Sequence, residues 1–150
     1  MVNQQFSKSI ATLPLLILFV LGVLLSIATE LPYGGWIQIP ILALVWWRLD
    51  LNHSRNIQSH FVAGLVFGIG YFVIGLWWLY ISLHDVGGMH PLLSCAAVLL
   101  LSAYMALYFS IATLSISLFK KTRATGLLLG ASWVVMEFLR GYIFTGFPWM

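Results

Sequence analysis

Charge is what this chain has least of: four acidic and seven basic residues in 150, or 7%, where a soluble domain carries about a quarter. That shortage, with 61% hydrophobic residues and a mean hydropathy of +0.99, excludes an ordinary water-soluble fold and describes a polytopic membrane protein. The seven basic residues are too scattered for a nucleic-acid surface. A single cysteine, Cys95, excludes an internal disulfide framework. Strict two-residue alternation is missing too, which argues against an outer-membrane barrel. No internal repeat or low-complexity linker divides the chain, so residues 1–150 read as one membrane domain.

What is present is a succession of apolar runs, and in hydrocarbon a helix satisfies its own backbone. The sequence predicts an all-α bundle of about five membrane segments, at 10–28, 36–47, 61–83, 92–119 and 124–143. Pro14 falls near the start of the first, where a missing N–H is tolerated. The second is short for a span of roughly 20 residues and contains Pro40, so it reads as a short or broken helix. If five spans alternate, Lys8, Arg48, Arg55, Lys120, Lys121 and Arg123 fall on one side, and retention of basic residues makes that side cytoplasmic. The N-terminus is then cytoplasmic and 144–150 faces outward. Trp46 and Trp47 at one boundary, and Trp77, Trp78 and Tyr80 at the other, suit interfacial belts. A competing reading makes the first segment a signal peptide cut after Ser26-Ile27-Ala28; the later topology is the same either way.

Small residues at helical spacing, Gly64 and Gly68 with Gly75, and Gly126 with Gly130, predict close helix packing. Tyr104, Tyr108 and Ser115 share a helix face and suit either a substrate groove or hydrogen bonds between helices. His84 and His90 flank a Gly-Gly turn while His53 and His60 lie in the opposite connection, so no set of metal ligands converges. Neither a metal nor another cofactor is expected. Cys95 lies early in an apolar run without a basic partner and is expected to be buried and inert.

Glu137 and Arg140 stand out against this background. Three positions apart on one helix face, they can pair, and each would cost about 2.5 to 3.5 kcal/mol if ionised at a helix centre. Two roles are open for them: an ion pair that holds the following loop, or a contact from Arg140 to an anionic lipid headgroup.

Three stretches, in order, carry a family likeness: Trp78-Leu-Tyr-Ile-Ser-Leu-His-Asp-Val-Gly-Gly-Met-His90, Ala103-Tyr-Met-Ala-Leu-Tyr108 and Glu137-Phe-Leu-Arg-Gly-Tyr-Ile-Phe-Thr-Gly-Phe-Pro-Trp149. With Leu31-Pro-Tyr-Gly-Gly-Trp36, they make residues 10 to 150 resemble the membrane portion of bacterial apolipoprotein N-acyltransferase. The terminal stretch is the most specific; Tyr142 stands where tryptophan is common in that family. The resemblance implies a multi-pass protein of the bacterial inner membrane. Its partners would be a phospholipid acyl donor and a diacylglyceryl apolipoprotein, whose N-terminal amine takes the acyl chain through a cysteine thioester. In the family a Glu-Lys-Cys arrangement on a periplasmic nitrilase-like α/β domain performs the transfer. None of that triad maps onto this sequence: neither Cys95 nor Glu137 matches its context.

The resemblance therefore implies an amino-terminal fragment, inactive by itself, that lacks the nitrilase-like domain. The residues expected to shape a lipid site at the outer face are Glu137, Arg140, Gly146, Phe147, Pro148, Trp149, Gly87, Gly88 and Met89. The alternatives are a non-catalytic membrane scaffold and a small transporter component.

Overall fold

Helix is the regular structure found throughout the described residues, as an apolar solvent requires of a backbone that must bond to itself. The computed structural model describes the backbone of residues 2–51, 57–118 and 125–143, and side chains over 14–49, 57–115 and 126–143. Helix α1 runs Val2–Glu30, α2 Gly34–Leu51, α3 Ile57–Gly75, α4 Trp77–Ile81, α5 Pro91–Leu118 and α6 Thr125–Tyr142, with a π-helical turn at Ser82–Val86 between α4 and α5. Two of them, over Ile57–Gly75 and Pro91–Ser115, are long and apolar enough to cross a membrane by length and composition, and Pro14–Glu30 is a shorter apolar stretch.

Local chemistry explains the boundaries. After Glu30 the chain turns within Pro32-Tyr33-Gly34: Tyr33 takes φ 65°, a strained setting for a bulky residue, and Gly34 donates to the Leu31 carbonyl at 2.9 Å. A β-carbon on Gly34 would collide with the Ala28 carbonyl, so only glycine fits there. Helix α2 continues through Pro40, correcting the expectation of a short or broken segment. Pro40 sits in the second turn of α2, so the carbonyl it leaves unbonded lies at the helix start.

The third expected segment, 61–83, is in fact two helices. Gly75 ends α3, Leu76 adopts φ −97° and ψ 12°, and a 2.9 Å bond from the Leu79 N–H to the Leu76 carbonyl tightens the step into α4. The π turn then closes with Gly87 N–H on the Ser82 carbonyl at 3.0 Å, Gly88 N–H on His84 at 3.1 Å and Met89 N–H on Leu83 at 2.9 Å. This is a Schellman-type ending widened by one residue, with Gly88 at φ 67° supplying the left-handed position. His90 then caps α5: its Nδ1 accepts the Leu92 N–H at 3.3 Å, and Pro91 occupies the first helical position.

The helices pack in an arc ordered α2, α1, α3, α5, α6. Its centre is α3, and glycines set the approach. An added β-carbon on Gly64 would lie 2.8 Å from the Ser110 Cα, and one on Gly68 2.8 Å from the Ala106 Cα, both on α5. On the other side, one on Gly22 of α1 would lie 2.9 Å from the Tyr71 nitrogen, and one on Gly70 would strike the Phe19 carbonyl. The α5 surface that meets α3 is correspondingly small, with Ser102, Ala106 and Ser110 all fully buried. Thr113 Oγ1 spans the seam to the His60 carbonyl at 2.9 Å. The packing expected of Gly64 and Gly68 is thus present.

Gly126 and Gly130 behave differently. Nothing lies within 4 Å of a β-carbon on Gly130, and one on Gly126 meets only the Trp46 indole at 3.5 Å, so these two border open space. Cys95 is exposed, correcting its expected burial: it follows the buried Ser94 by one position and so turns away from the buried face of α5 that carries Ser94, Val98 and Ser102.

These two glycine pairs make a direct test. Gly68→Val should lower stability by about 1–3 kcal/mol through overpacking, whereas Gly130→Ala should be neutral or stabilising by up to about 1 kcal/mol. Unfolding in detergent micelles, followed by circular dichroism, reads both.

Candidate functional site

The α3–α5 seam is antiparallel, with His60 bonded to Thr113, Gly64 against Ser110 and Gly68 against Ala106. Continued along both helices, that register brings Phe72 opposite Ser102. Helix α6 adds a third wall. Trp133 lies 4.2 Å from Phe109 and 6.1 Å from Phe67, ring centre to ring centre. Phe109 in turn stacks on Phe72 at 5.3 Å and 22° and meets Tyr71 edge-on at 5.7 Å. The result is a column of five rings, Phe67, Tyr71, Phe72, Phe109 and Trp133, drawn from three helices.

Arg140 lies over this column, two turns beyond Trp133 on the same face of α6. Its guanidinium carbon is 5.4 Å from the centre of the Phe72 ring, a cation–π distance, and the residue is only 8% exposed. Arg140 Nη2 donates to Glu137 Oε1, while the Glu137 side chain remains 47% exposed. A buried cation thus has a ring beneath it and a carboxylate that faces outward. Among the described residues, this hydrogen bond is the one the guanidinium makes. A guanidinium carries five N–H donors, so the geometry leaves donors for a further acceptor.

The other expected site residues are differently placed. Gly87 and Gly88 form the helix ending described above, and Met89 beside them is 36% exposed. Helical rise puts that turn roughly 20 Å along the α3–α4 direction from Phe72, and no described hydrogen bond, ion pair or ring contact joins it to Glu137 or Arg140. Gly146, Phe147, Pro148 and Trp149 lie outside the described residues. Tyr104 and Tyr108, expected to bond between helices or to line a groove, share a 2.7 Å hydroxyl contact with each other along α5. Ser115 donates to its own helix at the Ala112 carbonyl, 2.7 Å away. At the turn between α4 and α5 His84 Nδ1 donates to the Met89 carbonyl at 2.8 Å, and its Nε2 stands 3.9 Å from Asp85. Among the described residues no group of three or more His, Cys, Asp or Glu could hold a metal ion.

Sequence reasoning singled out Glu137 and Arg140 as a pair but missed the rings that seat the guanidinium. The signal was present in part: Trp133, Glu137 and Arg140 follow at i, i+4 and i+7, which is one helix face. Phe72 and Phe109 needed the α3–α5 register. A second feature had no sequence signal of its own, an apolar cavity of about 390 Å³ between α2 and α6, lined by Leu42, Val45, Trp46, Gly126, Leu129, Gly130 and Trp133.

An all-helical bundle with two membrane-length apolar helices, a buried arginine and large apolar side chains turned outward, such as Leu100 and Leu127, belongs to the class of helical membrane domains. Residues 21–150 match the family model described as Apolipoprotein N-acyltransferase N-terminal domain. The chain belongs to the apolipoprotein N-acyltransferase family. It is 38% identical over 135 residues to the apolipoprotein N-acyltransferase of Ralstonia nicotianae, covering 87% of this chain and 25% of that protein. It is 41% identical over 117 residues to that of Nitrosomonas europaea, covering 76% and 22%. With that of Shewanella oneidensis it shares 34% over 153 residues, covering 98% and 29%. The chain thus spans about a quarter of the length of these curated relatives.

Removing the guanidinium should loosen the ring column. Arg140→Ala is expected to cost about 2 kcal/mol, the value of a desolvated cation–π contact. Glu137→Gln should cost less, because its carboxylate is half exposed. Thermal unfolding of both variants in micelles checks the order.

Proposed function

We propose that this chain is the membrane-embedded portion of an apolipoprotein N-acyltransferase and carries the site where the phospholipid acyl donor is held by its headgroup. In the complete protein the donor would pass its acyl chain to the N-terminal amine of a diacylglyceryl apolipoprotein. No residue described here is assigned as nucleophile or base for that transfer, and the segment alone should be inactive. The five spans are α1, α2, α3 with α4, α5 and α6, in the bacterial inner membrane, with the N-terminus cytoplasmic.

Depth supports this reading. Helix α5 has 28 residues, about 42 Å at 1.5 Å each, against a hydrocarbon core of about 30 Å. Counted from Leu118, the last described residue of α5, Phe109 stands about 14 Å and Ser102 about 24 Å along the helix, and the Arg140 guanidinium, over the Phe72 ring that stacks on Phe109, lies between those levels, on the outer side of the bilayer centre. Glu137, with Gly146, Phe147, Pro148 and Trp149, is proposed to shape the outer rim of the same site, and the Gly87-Gly88-Met89 turn, roughly 20 Å beyond Phe72, is proposed to lie further out at the membrane surface. Glycine and proline supply turns there, and Phe147 and Trp149 prefer the interface.

The observation that carries the proposal is a buried Arg140 whose one described anionic partner, Glu137, is itself half exposed. A phosphate can then compete for the guanidinium. Steady-state acyl transfer by the complete protein, with phospholipid concentration varied, tests this. Arg140→Ala should raise KM for phospholipid at least about tenfold, the loss of one charge-assisted bond of about 1.5–3 kcal/mol. Glu137→Gln should leave KM unchanged or lower it, because the guanidinium is freed. Equal impairment by both variants would reduce the pair to a structural brace. The topology has its own check: a cysteine replacing Arg55, in a Cys95→Ala background, should resist membrane-impermeant thiol reagent added outside intact cells.

A further inference from the structure

The apolar cavity between α2 and α6 shares the Trp133 wall with the ring column but opens away from Arg140. Gly126, at its border, is about 20 Å along α6 from Arg140. The two helices are the ends of the packing arc, and Leu42, Val45 and Trp46 on α2 face Gly126, Leu129 and Gly130 on α6 across about 390 Å³. Because a β-carbon on Gly130 would meet nothing within 4 Å, these glycines give the gap its width instead of drawing helices together. In a bilayer such a gap is filled by the apolar matter beside it, and lipid tails are as apolar as the leucines that line it.

Charge selects the lipid. Arg48 follows Val45 by three positions in the last turn of α2, toward the cytoplasmic end. Its Nε is buried with no hydrogen-bond partner among the described residues. A guanidinium donor left unpaired is costly, and a phosphate is the acceptor whose geometry suits it. The sequence adds Lys120, Lys121 and Arg123 shortly before α6.

We propose that this groove holds one acyl chain of an anionic phospholipid of the cytoplasmic leaflet, with its phosphate on Arg48. The proposal rests on the membrane embedding described above and is independent of the acyl-transfer reading. It places a resident lipid in the leaflet opposite the one where Arg140 would hold the acyl donor.

Native mass spectrometry of the complete protein, titrated with phosphatidylglycerol or phosphatidylethanolamine of matched chains, reads this directly. The unmodified protein should retain phosphatidylglycerol in preference. Arg48→Gln should weaken phosphatidylglycerol about fivefold, the equivalent of roughly 1 kcal/mol per basic residue at an anionic surface, and leave phosphatidylethanolamine unchanged. Gly130→Leu, which enters open space and so should fold, should reduce retention of both lipids. Retention untouched by Gly130→Leu would overturn the proposal and show that a helix of the complete protein covers the groove. Equal retention of the two lipids, unaffected by Arg48→Gln, would overturn the assignment of the phosphate. A failed topology check at residue 55 would remove the embedding itself, and is read separately.

Discussion

The rest of the structure depends on how closely α3 can approach its two neighbours. Gly64 and Gly68 let it sink onto α5, while Gly22 and Gly70 do the same between α1 and α3. In a membrane there is no hydrophobic force to push helices together, so contact quality decides association. Here backbone meets backbone, and the hydroxyl of Thr113 closes the seam on the His60 carbonyl. Once that register is set, little freedom remains for the residues above it: Phe72 must stack on Phe109, and Trp133 of α6 must meet the same ring.

The arginine site is a consequence of this packing. An isolated guanidinium buried in an apolar bundle would be expensive, yet Arg140 has a ring face below it and a carboxylate beside it. The ring column comes from α3, α5 and α6, so the site exists only when all three are assembled. Local sequence supplies Glu137 and Arg140; the bundle supplies their surroundings. The turn at Gly87 and Gly88 is built by different means, a widened helix ending fixed by backbone bonds and by His84.

Much of this was legible in the sequence because a membrane simplifies the problem. Long apolar runs predicted the helices, and among the described residues α5 begins at Pro91 and α6 ends at Tyr142, each within one residue of the expected bound. The paired charges announced themselves by scarcity. What escaped was whatever depended on neighbours: the step at Leu76, where Gly75 ends α3 before two tryptophans, cannot be seen in a run that stays apolar throughout. Gly64 and Gly68 have the same spacing as Gly126 and Gly130, yet one pair is sealed against α5 and the other borders a cavity. Spacing alone does not say whether a partner helix is there. Cys95 looked buried for a similar reason, since the apolar composition of α5 does not distinguish its α3 face from its outer face.

The central claim is that this packing holds Arg140 inside the bilayer, on the outer side of its centre, in a protein of the apolipoprotein N-acyltransferase family. The depth of the adjacent position tests it most directly. Gly141 is exposed, and a β-carbon there meets nothing within 4 Å, so a spin label on Gly141→Cys, in a Cys95→Ala background, should be tolerated in the complete protein reconstituted into vesicles. The account predicts collisions with oxygen well above those with a water-soluble nickel reagent, and a depth within the outer half of the hydrocarbon. A label freely reached by nickel, or one placed in the cytoplasmic half, would contradict it.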